Sequence, residues 1–167
     1  GRPSPTNAQD VLEDMDGKIA GVLDGGSCGV GLESTVIDTT SPVPTICRPG
    51  GVTYEMLTEV LGAVEIDPAL LDDKNFKPKA PGMKYKHYAP NGDLTIVRGQ
   101  MQSVVDKINA LVENNIKCGY KTGVIATEET KELYKGAIVI SLGNRDDKKM
   151  VSHKLYDALR EFDRMEV

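Results

Sequence analysis

Residues able to bind anions or move protons crowd into one short stretch, "KAPGMKYKHYAP", which runs from Lys79 to Pro90. Lysines there can meet phosphate oxygens while tyrosine rings cover a base or a ribose. His87 can donate to an anion or shuttle a proton near neutral pH. The stretch fits a nucleic-acid contact, a lid over an anion-binding site, or a solvated linker whose tyrosines pack on a domain face. Prolines at both ends favour one fixed, docked path over a free RNA-binding tail.

Two earlier stretches put polar side chains on predicted strands. Ser34 and Thr35 lie in "ESTVID", and their hydroxyls could hold a carboxylate or a phosphate, or could simply form the wet face of a strand. Arg48 ends the next predicted strand, in "CRPGG". Its guanidinium could bind phosphate in a bidentate manner while the glycines let a ligand approach the backbone. The alternative for Arg48 is a surface arginine beside a turn.

A fourth candidate lies near the start of the chain, in "GRPSPTNAQ". Thr6 followed by Gln9 predicts a capping box at the beginning of a helix. The free N–H groups at such a helix start would also attract an anion. Thr6 is therefore both a predicted cap and a candidate nucleotide contact.

Several common kinds of site are not supported by the sequence. GxGxxG and GxxxxGK[ST] are both absent, so dinucleotide binding at "VRGQ" has no motif behind it. The three cysteines, Cys28, Cys47 and Cys118, are far apart and form no CxxC pair. We expect reduced thiols in a cytoplasmic protein, with no zinc site.

Composition limits the partners that the chain can bind. The 167 residues carry a net charge of −5 with a pI near 5.1, so a whole-surface polyanion binder is disfavoured and any phosphate contact must be local. No apolar run is long enough to span a bilayer, and the first residues do not resemble a signal peptide. The chain lacks an initiator Met and stops inside a predicted helix, so we expect a fragment of a longer protein.

The first 64 residues are predicted to fold as a helix, short strands and a second helix. The first helix has one apolar face and ends before Gly17. The second helix is capped by Thr53 and stops at Gly62. The strands are expected in "IAGVLDGG", "VGLESTVID" and "PTICRPGG".

Residues 65–92 show little periodicity and are predicted to be an irregular linker. In residues 93–167, apolar strands alternate with helical patterns, which indicates a small parallel sheet with right-handed crossovers. A helix is expected from Met101 to about Lys117, a short polar helix in "EETKELYKG" and a last helix around residues 151–162. The strands are expected in "LTIVRG", "TGVIAT" and "AIVISLG".

Taken in order and at their spacing, "GRPSPTNAQ", "ESTVID", "ICRPGG" and "APGMKYKHYAP" resemble the two-domain threonylcarbamoyl-AMP synthases, the long members of the YrdC-domain family. The resemblance implies an α/β chain. Residues 1–64 would be the C-terminal part of a YrdC-like α+β catalytic domain, and residues 65–92 an irregular linker that acts as a lid. Residues 93–167 would be a small Rossmann-like parallel-sheet domain. Its three predicted strands make a small sheet, so we expect this domain to be truncated.

The resemblance also implies a nucleotidyltransferase activity. ATP, L-threonine and bicarbonate would give threonylcarbamoyl-AMP and pyrophosphate, with Mg²⁺ offsetting phosphate charge, for threonylcarbamoyladenosine formation in tRNA. By match to the family, Thr6, Arg48 and Tyr88 would contact ATP and Ser34 would bind L-threonine. Tyr85 and His87 would belong to the lid. No catalytic side chain and no protein metal ligand is implied.

The chain departs from the family pattern in one large respect. The Lys/Arg-rich nucleotide motif and the Ser-Ala-Asn stretch expected upstream of Gly1 are absent, so we expect the 167 residues alone to be inactive. The alternative function is an RNA-binding or regulatory module without catalysis, which the negative net charge disfavours. A tRNA-modifying transfer complex would be a further partner, and oligomeric state is not predicted.

Overall fold

The computed structural model of the protein describes residues 2–71 and 89–167. Within them, contacts between Cα atoms separate two compact units: residues 32–71, and residues 2–31 together with 89–167. The domain boundaries predicted from the sequence, at residues 64 and 92, stay a prediction. The helices and strands, in chain order, are α1 (Ala8–Met15), β1 (Val36–Asp38), β2 (Thr45–Arg48), α2 (Tyr54–Leu61), β3 (Glu65–Ile66), α3 (Met101–Lys117), β4 (Gly123–Ala126), β5 (Ile138–Ser141) and α4 (Lys148–Arg164).

The unit formed by residues 32–71 is built on a three-stranded sheet in the order β1-β2-β3. β1 runs antiparallel to β2, and β3 runs parallel to β2. Ile46 and Cys47, from the middle of β2, are buried, as expected for a central strand. Helix α2 begins after Thr53, whose side chain accepts a hydrogen bond from the Met56 N–H at 3.4 Å. It ends at Gly62, where φ is +80°, so both predicted ends of this helix are confirmed.

The other unit contains the parallel pair β4–β5, with Gly123 opposite Ile138 and Ala126 opposite Ser141. Its core is formed by buried residues of α3 and β4, against which neighbouring side chains pack. Helix α4 lies close to β4, because a Cβ on Gly123 would come within 2.7 Å of the Phe162 ring. The core residues are Val112, Val124 and Ala126, with Ile108, Tyr134, Ala137 and Val139 packed on them.

Two predicted strands are wrong. Within the described part of the chain, neither residues 19–26 nor residues 94–99 form a strand. Leu94 and Ile96 are 60% and 69% exposed, so the apolar alternation of "LTIVRG" has no neighbouring strand to pair with and no core to face. Strand-like composition is a statement about side chains, while a strand exists only when a second backbone supplies its hydrogen bonds.

Smaller differences concern the linker and the polar helix. β3 and a 3-10 helix at Pro68–Leu70 lie where the sequence predicted an irregular linker. The expected helix in "EETKELYKG" is one 3-10 turn, Lys131–Leu133. The described residues pair two strands, β4 and β5, where three were expected in residues 93–167.

The predicted strand at residues 30–38 is shorter than expected, because β1 covers only Val36–Asp38 and Ser34 and Thr35 precede it. The fold class, the parallel pair and the two long helices of residues 93–167 are confirmed. The molecule is an α/β protein, and β4 and β5 are parallel and joined through a connection that contains the short turn Lys131–Leu133. Helices α3 and α4 form where the three- and four-residue spacing of apolar side chains predicted them. In the described part of the chain, no helix combines the length and the apolar character needed to cross a membrane.

The core around α3 gives a direct test of this packing. Val112 is 1% exposed, and shortening it by Val112→Ala leaves a small cavity between α3 and β4. We expect the free energy of unfolding to fall by about 1–3 kcal/mol, measured by chemical denaturation. Met101→Ala, at the exposed first position of the same helix, serves as the matched control and should change it by less than about 0.5 kcal/mol. Equal effects of the two substitutions would contradict the assignment of the core.

Candidate functional site

Ser34 and Arg48, both predicted as site residues, lie against each other. β1 and β2 are antiparallel with Val36 opposite Arg48, so the residues just before β1 lie beside the end of β2. Arg48 Nε and Nη2 donate to the Ser34 carbonyl at 3.1 and 3.0 Å, and Nη2 also donates to Ser34 Oγ at 3.3 Å. Ser34 is exposed and Arg48 is half-buried. A cation and a hydroxyl therefore share one surface at the sheet edge.

The loop that follows β2 holds this pair in place. Thr35 Oγ1 donates to the Val52 carbonyl at 2.6 Å and accepts from the Val52 N–H at 3.2 Å. Gly50 lies directly on the backbone before β1, since a Cβ there would fall 2.3 Å from the Thr35 nitrogen and 2.5 Å from the Glu33 carbonyl oxygen. The sequence predicted that these glycines admit a ligand to the backbone. In the structure Gly50 admits the chain's own backbone, and access of a ligand beside it stays a prediction.

Chemically, this surface suits an oxyanion. A guanidinium offers N–H donors in a fixed plane, and a neighbouring serine hydroxyl adds a donor that can rotate. Carboxylate and phosphate groups are the ligands that such donors bind best. Among the described residues, this surface carries no candidate nucleophile with a general base beside it, so binding and charge stabilisation are what this arrangement can supply.

Thr6 is held in the other unit by the first turn of α1. It is buried, its N–H and its Oγ1 donate to Asp10 Oδ2 at 3.0 and 3.4 Å, and its carbonyl accepts from the Cys28 N–H at 2.8 Å. The helix cap is Asn7, whose Oδ1 accepts from the Asp10 N–H at 2.9 Å. The predicted Thr6–Gln9 capping box is therefore wrong by one residue. Asp10, rather than Gln9, reaches back because the cap is Asn7, which makes Asp10 the third residue of the helix.

Asp10 joins α1 to α4 through arginines. Its side chain is fully buried, and Oδ1 pairs with Arg164 Nη2 while Oδ2 lies 3.8 Å from Arg160 Nε. Arg160 is 2% exposed; its Nε donates to the Pro3 carbonyl at 3.0 Å, and its Nη2 pairs with Asp14. We call this set the α1–α4 ion-pair cluster: Arg2, Asp10, Glu13, Asp14, Glu161, Arg160 and Arg164.

The pKa values within this cluster move as close pairing requires. The hydrogen bond from Arg164 holds the pKa of Glu13 below its ordinary value, with the charges of Arg164 and Arg160 acting in the same direction against partial burial. Burial would raise the pKa of Asp14, but the bonds and charges of Arg160 and Arg2 outweigh it and lower that pKa. The bond to Glu13 raises the pKa of Arg164. All three groups are thus charged at neutral pH.

Sequence reasoning missed this cluster, although a signal was present. Three acidic residues of α1 follow each other at spacings of three and one, and two arginines of α4 stand four residues apart. Each set marks one charged helix face. Charged faces usually meet water, and only the fold shows that these two meet each other and bury Asp10 and Arg160.

A cavity of about 310 Å³ opens beside the cluster, lined by Arg2, Glu13, Arg160, Asp163 and Arg164. Asp163 Oδ1 accepts from the Asn91 N–H at 2.7 Å, while its Oδ2 is buried without a hydrogen-bond partner among the described residues. The guanidinium groups that line the cavity are already paired with acidic side chains of α1. Among the described residues, the cavity therefore has no surplus positive charge for an anion.

The remaining predicted site residues are not described. Tyr85, His87 and Tyr88 lie outside residues 2–71 and 89–167, so their proposed lid role stays a prediction. Within the described ranges, no group of three or more His, Cys, Asp or Glu side chains is arranged to hold a metal ion. The structure brings Ser34 together with Arg48, and it surrounds Thr6 with the α1–α4 cluster.

Known proteins match this chain along its whole length. The family model described as "Threonylcarbamoyl-AMP synthase, C-terminal domain" matches residues 52–167, and the model described as "Telomere recombination" matches residues 1–50. The threonylcarbamoyl-AMP synthase of Bacillus subtilis is 43% identical over 167 residues, which is 100% of this chain and 47% of that protein. The protein of the same name from Pyrococcus abyssi is 41% identical over 164 residues, 98% of this chain and 46% of the relative.

Solved structures agree with these matches. The crystal structure of P. abyssi Sua5 in complex with L-threonine has a TM-score of 0.80 and 39% identity over 98% of this chain and 46% of that one. A variant of the same protein, with an adjacent histidine and tyrosine both replaced by alanine, has a TM-score of 0.83 and 38% identity over 99% of this chain and 46% of that one. The fold of this chain is thus that of the corresponding part of the Sua5 structures.

The chain belongs to the threonylcarbamoyl-AMP synthase family, as its four motifs predicted. It spans about half the length of the curated relatives that it matches.

The close packing at Gly50 gives a test of how the site is built. Gly50→Ala forces a Cβ into the backbone of residues 33–35 and should separate Ser34 from Arg48. We expect a loss of about 1–3 kcal/mol in the free energy of unfolding of the protein. Gly25→Ala is the matched control, because a Cβ at Gly25 meets nothing within 4 Å. An unchanged stability for Gly50→Ala, measured by denaturation, would contradict this packing.

The depressed pKa values of Glu13 and Asp14 predict an acid-sensitive attachment of α1. Groups whose pKa is lowered by folding stabilise the folded state above their unfolded pKa and lose that contribution as pH falls through the folded value. We therefore expect amide-exchange protection of Ala8–Met15 to hold at neutral pH and to fall below about pH 4, ahead of protection in α3. In the double variant Glu13→Gln/Asp14→Asn this acid step should disappear; its persistence would assign the step to other groups.

Proposed function

We propose that this chain forms part of an L-threonylcarbamoyladenylate synthase. The reaction joins ATP, L-threonine and bicarbonate into threonylcarbamoyl-AMP and pyrophosphate, as a step in forming threonylcarbamoyladenosine in tRNA. Membership of the family supports this proposal, as does the name shared by the B. subtilis and P. abyssi relatives. In this proposal the activity belongs to a protein of the full length of the relatives, which are about twice as long as this chain.

One observation carries the proposal: the contact of Arg48 with Ser34 at the sheet edge. It lies in a chain that is 39% identical to a protein solved with L-threonine bound. In the proposal, Ser34 holds the threonine substrate and Arg48 contacts a phosphate of ATP. Both ligands carry oxyanions, and the guanidinium beside the hydroxyl suits both.

The chemistry then needs positioning more than covalent catalysis. L-threonine and bicarbonate form N-carboxythreonine with loss of water. The new carboxylate oxygen of N-carboxythreonine attacks the α-phosphate of ATP, and the bond from that phosphorus to the oxygen that bridges to the β-phosphate breaks. Pyrophosphate leaves with the electron pair. Arg48 offsets negative charge that accumulates on phosphate oxygens during this exchange, and no enzyme-bound covalent intermediate is required.

Thr6 contributes a second contact to ATP in this proposal. Its hydroxyl donates to Asp10 at 3.4 Å, so its lone pairs stay available to accept a bond, for instance from a ribose hydroxyl. Asp10 thus fixes which way the Thr6 hydroxyl points. The free N–H groups at the start of α1 add a favourable field for the phosphates.

Tyr85, His87 and Tyr88 form the proposed lid, with Tyr88 also contacting ATP. Support comes from the P. abyssi variant, in which a neighbouring histidine and tyrosine were both changed to alanine. This chain contains one such adjacent pair, His87–Tyr88. The rings would cover the nucleotide while the cations of the same stretch meet pyrophosphate oxygens.

Cofactor and partners follow from the proposed reaction. ATP is a substrate, and Mg²⁺ would be carried by its triphosphate and offset its charge. The product, an activated carbamoyl adenylate, must pass to a tRNA-modifying transfer complex. We propose that this protein works in the cytoplasm.

The test uses the full-length protein that contains this chain. We expect pyrophosphate release that depends on ATP, L-threonine and bicarbonate together. His87→Ala and Tyr88→Ala should each lower turnover by about 10²-fold, because an open lid misplaces the reacting groups, with circular dichroism unchanged. Tyr120→Ala, at an exposed tyrosine outside the site, is the matched control and should keep wild-type turnover.

Each outcome has a definite meaning for the proposal. Absence of threonine-dependent pyrophosphate release from the full-length protein refutes the synthase function. Salt-sensitive tRNA binding without that release would favour an RNA-binding or regulatory module. Wild-type turnover in both lid variants would remove the lid role and leave the synthase function standing.

A further inference from the structure

Two arginines of α4 make their bonds on the segment that carries Thr6. Arg160 Nε donates to the Pro3 carbonyl at 3.0 Å, and Arg164 Nη2 pairs with Asp10 Oδ1. These contacts join residues more than 150 positions apart in the chain. The first turn of α1 is therefore held from outside, by the last helix.

Burial makes these contacts costly to break. Asp10 is fully buried and Arg160 is 2% exposed, so neither charge can turn to water if its partner is removed. Breaking a buried pair by removing one partner leaves an uncompensated charge, which is far more destabilising than the pair is stabilising. The orientation of the Asp10 carboxylate is consequently set by the arginines of α4.

That orientation passes directly to Thr6. Asp10 Oδ1 is occupied by Arg164, and Oδ2 accepts from both the N–H and the Oγ1 of Thr6. The carboxylate is planar, so fixing one oxygen fixes the other. A turned carboxylate would release the Thr6 hydroxyl, because the bond from Oγ1 to Oδ2 would be lost and the hydroxyl could then rotate.

An apolar contact could hold α1 against α4 equally well, but it could not select a rotamer of Thr6. The guanidinium of Arg164 does more than neutralise charge, because its Nε also donates to Glu13 Oε1 at 2.8 Å and its Nη1 donates to Glu161 Oε2 at 2.9 Å. The planar guanidinium of Arg164 therefore binds three carboxylates, those of Asp10, Glu13 and Glu161. Lysine, with a compact ammonium, could not reproduce this geometry.

We propose that Arg164, supported by Arg160, is a positioning residue that orients Thr6 toward the nucleotide through Asp10. The inference rests on the proposed function, since it assumes that Thr6 contacts ATP. It gives α4 a part in nucleotide binding that does not require it to touch the nucleotide. Arg164 acts on ATP affinity, whereas the Ser34–Arg48 pair is held by its own sheet and does not depend on α4.

The experiment measures ATP and threonine separately in the full-length protein. Arg164→Gln should raise KM for ATP about tenfold, the effect of losing one charge-assisted bond, and should leave KM for L-threonine within about twofold. The calorimetric Kd for ATP should rise by the same factor. Arg145→Gln is the matched control, an exposed arginine of the same unit, and should change neither constant. Arg164→Lys should fall between the wild type and Arg164→Gln, and it serves if the glutamine variant fails to fold.

A double-variant comparison separates positioning from general support. If Arg164 acts through Thr6, then Arg164→Gln should add less than twofold to KM for ATP once Thr6→Val has been made. Independent tenfold effects in the two backgrounds would refute the proposal, as would equal increases in KM for ATP and for L-threonine. If the enzyme is active and Arg164→Gln leaves both KM and Kd for ATP unchanged, the positioning role alone is refuted. An enzyme without threonine-dependent pyrophosphate release refutes the proposed function and this inference with it.

Discussion

The buried pairing of Asp10 with arginines of α4 is the interaction on which the unit formed by residues 2–31 and 89–167 depends. A carboxylate and a guanidinium lose their hydration when buried, and only close, well-directed pairing offsets that cost. α1 has eight residues, too few for a stable helix in isolation. The ion-pair cluster therefore gives α1 a fixed place through α4.

A second constraint, of a different kind, shapes the sheet of residues 32–71. There the determining contact is between two stretches of backbone. Gly50 lies so close to the backbone of residues 33–35 that a Cβ at this position would clash with it. This packing sets Ser34 beside Arg48, and the guanidinium of Arg48 strengthens the contact by donating to the Ser34 carbonyl. The two candidate contacts are thus held by main chain. Positioning of this sort is what a reaction driven by charge stabilisation requires, since donors aimed in advance need no reorganisation.

The proposed synthase function draws on both constraints. Oxyanion donors at the sheet edge suit the threonine and phosphate groups, and the buried cluster orients a hydroxyl suited to the nucleotide. Neither set contains an activated nucleophile, which agrees with a reaction whose attacking group belongs to the substrate. The family match extends over the whole chain, while the chain spans about half of its relatives.

The sequence by itself determined the family, the α/β class and the elements whose signals are local. Helix α2, with its Thr53 cap and Gly62 stop, needed only propensity and capping, which act within one turn. Residues 94–99 resembled a strand but form none, because pairing needs a second backbone that composition does not supply. Likewise, the sequence showed that α1 and α4 each carry a charged face, but it did not predict that Asp10 and Arg164 pair with each other. Only the tertiary structure decided those contacts, since residues 154 positions apart interact through space and leave no local pattern.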